Sequence, residues 1–507
     1  MPTNEAARTD RDAVTSPGLL EHPRMRVAVR STELPSRDPL ELYASLAASL
    51  GSHQVFLLEN LSGAEPQRRG SVVGWGRLAQ IRLHPEHLEF DGVTGIVEAL
   101  RRLAAGLGLR TDGPDRWRFD RAESVWELLR HTQRLFDVVT DEPPQAYAFG
   151  FLLTAGYGAA WHMEDLPPRP AGDVPDLTLT LFQQSVWFDA GSGRVRHLRG
   201  DNPCFPALPD VPPVPEPAGV SVAVPAAPPP DQVSDNVDRE TFLGWVRRCL
   251  EHIHVGDVYQ IQIGHRIDVR TSLTPLEVYR RLRWRNPSPH MYLLPHADST
   301  LIGASPELLF RTEGDLLVMR PIAGTTRRDP TGQGNDERVR ALLASTKERA
   351  EHIMLVDLCR NDVSRVARPR SLAVDRLMAV ETFSHVFHLV STVSARMDPA
   401  TDLWAALRAT FPAGTMTGAP KLRAMEIISE IERDDRGSYA GAVGLVDARG
   451  WSELALCIRT VHYDGTRYST QSSAGIVAQS DPEGEWAETL HKMSAAYWAL
   501  TGEDLEP

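Results

Sequence analysis

Apolar and polar residues alternate over 24–29, placing Met25, Val27 and Val29 on one face, and this period of two predicts an opening strand. Strand patterns recur at 54–60, 71–75, 81–83, 88–90, 147–153 and 177–188, with helical spacing at 40–50, 95–107 and 122–138. Further on, helices are predicted at 238–254, 275–284, 336–358 and 484–500. Strands are predicted there at 258–269, 292–294, 301–310, 317–320, 384–395, 439–446, 454–461 and 468–477. Strands and helices mix without regular βαβ alternation, so the expected class is α+β rather than a doubly wound sheet. The polar stretch 1–22 predicts a disordered tail, and the proline-dense stretch 201–235 an extended linker. These divide the chain into an N-terminal domain, 23–200, and a second domain, 236–507.

Composition narrows the classes. With 507 residues, 42% hydrophobic and 24% charged, the chain suits a soluble globular protein of one large core or two domains. Its 54 basic against 67 acidic residues, a net charge of −13, argue against nucleic acid as the main partner. Cys204, Cys249, Cys359 and Cys457 stand far apart without CxxC or CxxH spacing, which argues against a disulfide framework or a cysteine zinc site. No apolar run of about 18 residues is present to span a membrane, and the polar start lacks the character of a signal peptide. A cytoplasmic protein is the expectation.

Two features carry chemistry. Phe411-Pro412-Ala413-Gly414-Thr415-Met416-Thr417-Gly418-Ala419-Pro420-Lys421 is a small-residue turn entering an apolar-periodic helix. Proline is tolerated in a first helical turn and helix N-termini attract anions, so the turn suits either a carboxylate- or phosphate-binding corner or an ordinary loop-to-helix corner. It is not a Walker P-loop, because Pro420 replaces the required glycine and no Ser or Thr follows Lys421. Separately, Glu348 and Glu351 lie three apart on one predicted helix and Glu485 and Glu488 on another, with Lys492 four residues beyond Glu488. Such pairs commonly face solvent. Convergent pairs would repel, requiring raised pKa values or a divalent cation, and an all-oxygen set suits Mg²⁺.

From 238 to 500 the blocks GDVYQIQIGHR, NPSPHM, IGASPELLFR, RPIAGT, ERAEHIMLVDLCRNDVSRV, VETFSHVFHLVS, FPAGTMTGAPKLRAMEII, YAGAVG, LALCIRT and AGIVAQSDPEGEWAETLHK occur in order. This text resembles the chorismate-utilising enzymes, above all the large subunit of anthranilate synthase. FLLEN, FGFLLTAGYGAAWH and PDLTLTLF resemble that family's other domain more faintly. The resemblance implies two facing β-sheets flanked by helices, with chorismate and Mg²⁺ in a cleft. It implies Glu351 and Glu488 as Mg²⁺ ligands, supported through water by Glu348 and Glu485. Arg459, Tyr439 and backbone N–H groups of a Ser473-Ala474-Gly475 loop would grip the enolpyruvyl carboxylate, with Lys492 and Thr415 as further anion contacts. Glu307 would protonate the departing C4 hydroxyl, which requires a raised carboxyl pKa.

Two substitutions concern the nucleophile. Members of the family that add water carry a lysine base where this chain has Gln260, and glutamine cannot deprotonate water, whereas ammonia needs no base. Members that form a covalent adduct place a lysine where this chain has Ala323. Both point to direct amination at C2, giving 2-amino-2-deoxyisochorismate. His388 matches the histidine that serves pyruvate loss to anthranilate. Ser473, however, stands where the family has glycine, a change able to alter that elimination. At the feedback site of tryptophan-inhibited members, Glu59, Pro289 and Met291 match while Asn60 and His290 depart, so weakened or absent tryptophan control is expected. No cysteine has the setting of a glutaminase nucleophile, so ammonia is expected from a separate glutamine amidotransferase subunit in a hetero-oligomer. The first reading is an anthranilate synthase large subunit. Its alternatives are a 2-amino-2-deoxyisochorismate synthase without lyase activity in secondary (antibiotic) metabolism, then an aminodeoxychorismate synthase, or a catalytically silent chorismate- or amino-acid-binding partner.

Overall fold

The strand Ala442–Asp447 pairs on one side with Ser452–Leu456 and on the other with Gly150–Ala155 of the N-terminal half. His290–His296 likewise pairs with Val55–Glu59. In this computed structural model, which describes residues 24–506 except 63–69, 114, 170, 171, 173, 214–223, 330, 384 and 385, such pairings link 23 strands into one sheet. Its ladders are antiparallel apart from Met25–Leu34 against Phe136–Val139. A separate three-stranded sheet joins Ile322–Arg327, Val386–Val390 and Ala379–Thr382. The α+β class holds.

The boundary at 201–235 is a crossing of the chain rather than a break in the sheet. Its last residues, Gln232–Asp235, form a strand against Gln260–Arg270. The largest core draws on both halves, packing Phe151, Leu152 and Trp126 with Trp404, Val443 and Leu454. The tail expected over 1–22 lies outside the described residues, as does the middle of the linker.

Local chemistry explains where elements depart from the periodicity. The helix expected over 336–358 is two, Asn335–Ala344 and Thr346–Ser364, because Ser345 takes extended dihedrals and its hydroxyl caps Glu348 N at 3.3 Å. Residues 71–75 and 81–83 belong to one strand, Ser71–Leu83, which carries Gly76 at φ +76° and a register shift between Arg77 and Ala79. Residues 301–310 split around Pro306, and 454–461 split at Cys457-Ile458-Arg459, where Arg459 is held at φ +50°. Both interruptions fall at the site.

Candidate active site

A cavity of about 470 Å³ is lined by residues of strands Gln260–Arg270 and Tyr468–Ile476, helices Thr346–Ser364 and Pro482–Thr501, and the two interruptions just described. Strand alternation decides what reaches it: Gln260, Gln262, Ser473 and Gly475 line it, while Ile261, Ile263 and Ala474 pack into the core behind. The segment expected to offer backbone N–H groups as a Ser473-Ala474-Gly475 loop is part of the strand Tyr468–Ile476, with the Ala474 side chain turned to the core. A Cβ at Gly475 would come 2.8 Å from Gln262 Nε2 and 2.9 Å from Gln260 Nε2, so a side chain there would displace the two glutamine amides. Gln260 Oε1 is buried without a hydrogen-bond partner.

Glu307, expected as the acid, lines the cavity. It follows Pro306 between two strands, is 9% exposed, and accepts one hydrogen bond, from Thr415 Oγ1 at 3.3 Å. Burial pushes its pKa up to about 8, against the pull of the Thr415 hydrogen bond, Lys492 and Arg459. Glu307 is therefore protonated at neutral pH. Thr415, expected as an anion contact, lines the cavity and donates to this carboxyl. The turn around it forms a four-residue helix, Gly414–Thr417, and a short pairing of Gly418-Ala419 with Gln260-Ile261. The helix that follows starts at Lys421, whose Nζ turns to buried Asp362 at 3.0 Å rather than to the cavity. Of the two corners expected, the structure builds the second, with Thr415 and Met416 as its contribution to the cavity.

The opposite character comes from Arg459. It is half-buried, desolvation lowers its pKa, and its guanidinium makes no hydrogen bond or ion pair among the described residues. A partly desolvated, uncompensated cation lining a cavity is a ready anion site. Tyr439 hydroxyl lies 2.7 Å from Ser473 Oγ, which donates onward to Gln262 Oε1 at 2.8 Å. Burial raises the Tyr439 pKa to about 12, so it is a neutral donor. Lys492 Nζ donates to Ser473 O at 2.8 Å and pairs with Glu488 at 2.6 Å. His388 bonds Thr325 Oγ1 through Nδ1 at 2.9 Å, and burial lowers its pKa to about 4, leaving a neutral imidazole. Ala323 lines the same wall with no nucleophile.

Glu348, Glu351, Glu485 and Glu488 all line this cavity, together with Lys347 and Lys492. Burial raises the pKa of Glu351, and repulsion from Glu348 and Glu488 adds to it. Burial also raises Glu485, with Glu488 contributing, and Glu485 Oε2 is enclosed without a partner. No three of these carboxylates bring ligand atoms within 4.8 Å of one another, and lysines stand beside two of them, at 3.9 Å for Lys347–Glu351 and 2.6 Å for Lys492–Glu488. A hard divalent cation fits this oxygen-only, charge-strained set, Mg²⁺ in particular because it retains waters and takes few carboxylates.

Sequence reasoning left several supports unassigned. Arg436 and Glu432 form a buried bidentate pair at 2.7 Å. Arg436 also donates to Met416 O and Gln262 O, and Glu432 accepts from Gly264 N, tying the turn to the central strand. Buried His352 links Ala323 O to Ser391 Oγ. Gln262 was placed on the right strand face without a role. Apart from Glu432–Arg436, four residues apart, these contacts join residues distant in the chain, so only the fold reveals them.

A second, smaller pocket of about 70 Å³ gathers all five expected effector residues, Glu59, Asn60, Pro289, His290 and Met291, with Trp187 and Trp451. Glu59 is fully occupied there: Tyr279 Oη donates at 2.6 Å and Arg283 at 2.9 and 3.0 Å.

The cavity gathers acids and cations suited to binding an anionic small molecule, and comparison with known proteins gives its family. The chorismate binding enzyme family matches residues 96–497, so the chain belongs to that family. It is 44% identical to a 2-amino-4-deoxychorismate synthase of Streptomyces globisporus, over 98% of this chain and 100% of that protein. It is 41% identical to anthranilate synthase component 1 of Streptomyces coelicolor, over 74% and 76% of the two chains. Among solved structures, anthranilate synthase component I of Streptococcus pneumoniae superposes with a TM-score of 0.66 at 26% identity, covering 85% of this chain and 93% of that one. Among the described residues no helix is long and apolar enough to cross a membrane.

Proposed function

We propose that this chain aminates chorismate at C2 with ammonia and releases the product with its enolpyruvyl group attached. The observation that carries the amination is the pairing in one cavity of a protonated buried acid, Glu307, with an uncompensated Arg459. Arg459 takes a substrate carboxylate, which fixes the ring. Glu307 gives its proton to the C4 hydroxyl, which leaves as water. Ammonia forms the new bond at C2 while the ring double bonds shift from C1–C2 to C1–C6 and from C5–C6 to C4–C5. The proton lost by the new ammonium group restores Glu307. Gln260 is no base for water and Ala323 no covalent nucleophile, so a free amine is the attacking species. Mg²⁺, held by Glu351 and Glu488 with Glu348 and Glu485 behind, would supply charge neutralisation for a bound carboxylate. The ammonia comes from a separate glutamine amidotransferase subunit.

The resulting compound, amine at C2 and oxygen lost from C4, has the chemistry in the printed name of the Streptomyces globisporus relative, which this chain matches along nearly all its length. Ser473 supports a stop at that stage. Its side chain accepts from Tyr439 and so draws that donor away from the enolpyruvyl group, whose departure needs stabilised negative charge. His388, present and neutral, is the residue that favours the further step to anthranilate. The test is turnover of chorismate with ammonium and Mg²⁺ by the wild type and by Ser473→Gly. The wild type is expected to give an aminated, enolpyruvyl-bearing mass without anthranilate fluorescence, and Ser473→Gly to gain fluorescence. Anthranilate from the wild type at the rate of chorismate loss would overturn the stop.

A further inference from the structure

The strand Ser71–Leu83 turns back into His87–Gly92, and His84 N donates to His87 O at 2.8 Å to close the turn around Pro85 and Glu86. Leu83 pairs with Leu88, and both are fully buried. Alternation then sends His87 and Glu89, on either side of Leu88, to the other face, and His84, opposite His87, joins them there. The sequence His84-Pro85-Glu86-His87-Leu88-Glu89 thus becomes three ligand-type side chains on one face of a hairpin tip.

Their geometry is close. The two imidazoles stack at 4.6 Å with 8° between planes. Glu89 reaches His87 Nε2 at 3.2 Å with one oxygen and His84 Nε2 at 3.6 Å with the other. One ligand atom from each residue lies within 4.8 Å of the other two, the one such trio among the described residues. His84 Nε2 is buried and has no hydrogen-bond partner. Two cations neighbour the group. Arg82, across the ladder from Glu89, is held by Gln80 at 2.7 Å and Asp298 at 3.2 Å, and Arg116 approaches Glu89 at 3.6 Å from a half-exposed position. None of the three ligand-type residues lines the chorismate cavity.

We propose that this hairpin tip binds one Zn²⁺ through His84, His87 and Glu89, with water completing the tetrahedron. Two imidazole nitrogens and a carboxylate oxygen are a donor set zinc takes at about 2.0–2.2 Å, distances that small ring rotations supply. The site is a clasp on the N-terminal half, separate from the glutamates of the cavity, whose all-oxygen character suits a harder ion. Cysteine spacing is silent about it because no cysteine takes part.

The test uses the untagged full chain in excess Mg²⁺, titrated with Zn²⁺ by calorimetry and with Co²⁺ by visible absorption. The wild type is expected to bind one equivalent with the spectrum of a tetrahedral nitrogen-ligated Co²⁺, and Zn²⁺ to raise its melting temperature. His87→Gln and Glu89→Gln should each weaken binding, and the His84→Ala, His87→Gln pair should abolish both it and the thermal shift. Chorismate turnover and circular dichroism should stay unchanged in all three. Undiminished stoichiometry in the double variant, or no binding by the wild type, would overturn the site.

Discussion

Glu307 and Glu59 are both buried carboxylates, 9% and 2% exposed, each facing a pocket, yet the protein treats them in opposite ways. Glu59 receives three hydrogen bonds from Tyr279 and Arg283, and its pocket holds about 70 Å³. Glu307 receives one long bond from Thr415, and its cavity holds about 470 Å³. A carboxylate answered from within is architecture. One left nearly unanswered keeps its proton and has it available for a ligand.

The comparison breaks if similar substitutions at the two places read out alike. Glu307→Gln removes the proton donor while keeping shape, so kcat should fall by about 10²–10⁴ with chorismate affinity and melting temperature preserved. Kinetics beside calorimetry separate these effects. Arg283→Met does the reverse: it strips charge-assisted bonds from Glu59 and should cost ~2–3 kcal/mol of stability, read by denaturant melts, with kcat nearly unchanged.

The pH dependence sharpens the same contrast. With its folded pKa raised to about 8, Glu307 is the active, protonated acid below that pH and is lost as pH rises through it. At fixed free ammonia, kcat/KM should therefore fall about tenfold per unit above pH 8, and a profile flat to about pH 9.5 removes Glu307 as the acid. The folded state also binds this proton more tightly than the unfolded chain does. Its contribution to stability is thus fully present below pH 4.5 and is lost as pH rises through about 8. The smallest effect concerns the second pocket. With about 70 Å³ there is room for a few waters but not for an amino acid, so millimolar tryptophan should leave the rate unchanged. Inhibition at micromolar tryptophan would show that the pocket opens.

Part of the site was legible in spacing, while Glu307, Arg459, Tyr439 and His388 have no such signal and were reached only through the resemblance of their blocks to a known family. Glu348–Glu351 and Glu485–Glu488 share helix faces, and period-two alternation put Gln260 and Gln262 together. The rest depended on partners. Ala474 was expected to offer only its backbone, and the pleat turns its side chain to the core beside Ile261 and Ile263. Thr415, expected as an anion contact, also holds the Glu307 carboxyl, a partner 108 positions away that its own block does not show. The Glu432–Arg436 pair reads on paper as an ordinary i,i+4 surface pair, and only burial under Gln262 and Met416 makes it a brace. The prolines of the linker hid that its last four residues join the sheet, because hydropathy says nothing about which strand a strand will meet.

The central claim, direct delivery of ammonia to C2, is tested most directly by where the nitrogen goes. Chorismate carrying ¹³C in its ring, turned over with ¹⁵N-ammonium and Mg²⁺, reports the new bond as a one-bond ¹⁵N–¹³C coupling in the NMR spectrum. Coupling to C2 is the predicted result. Coupling to C4, or an oxygen at C2 in place of nitrogen, would contradict the roles assigned to Gln260, Ala323 and Glu307.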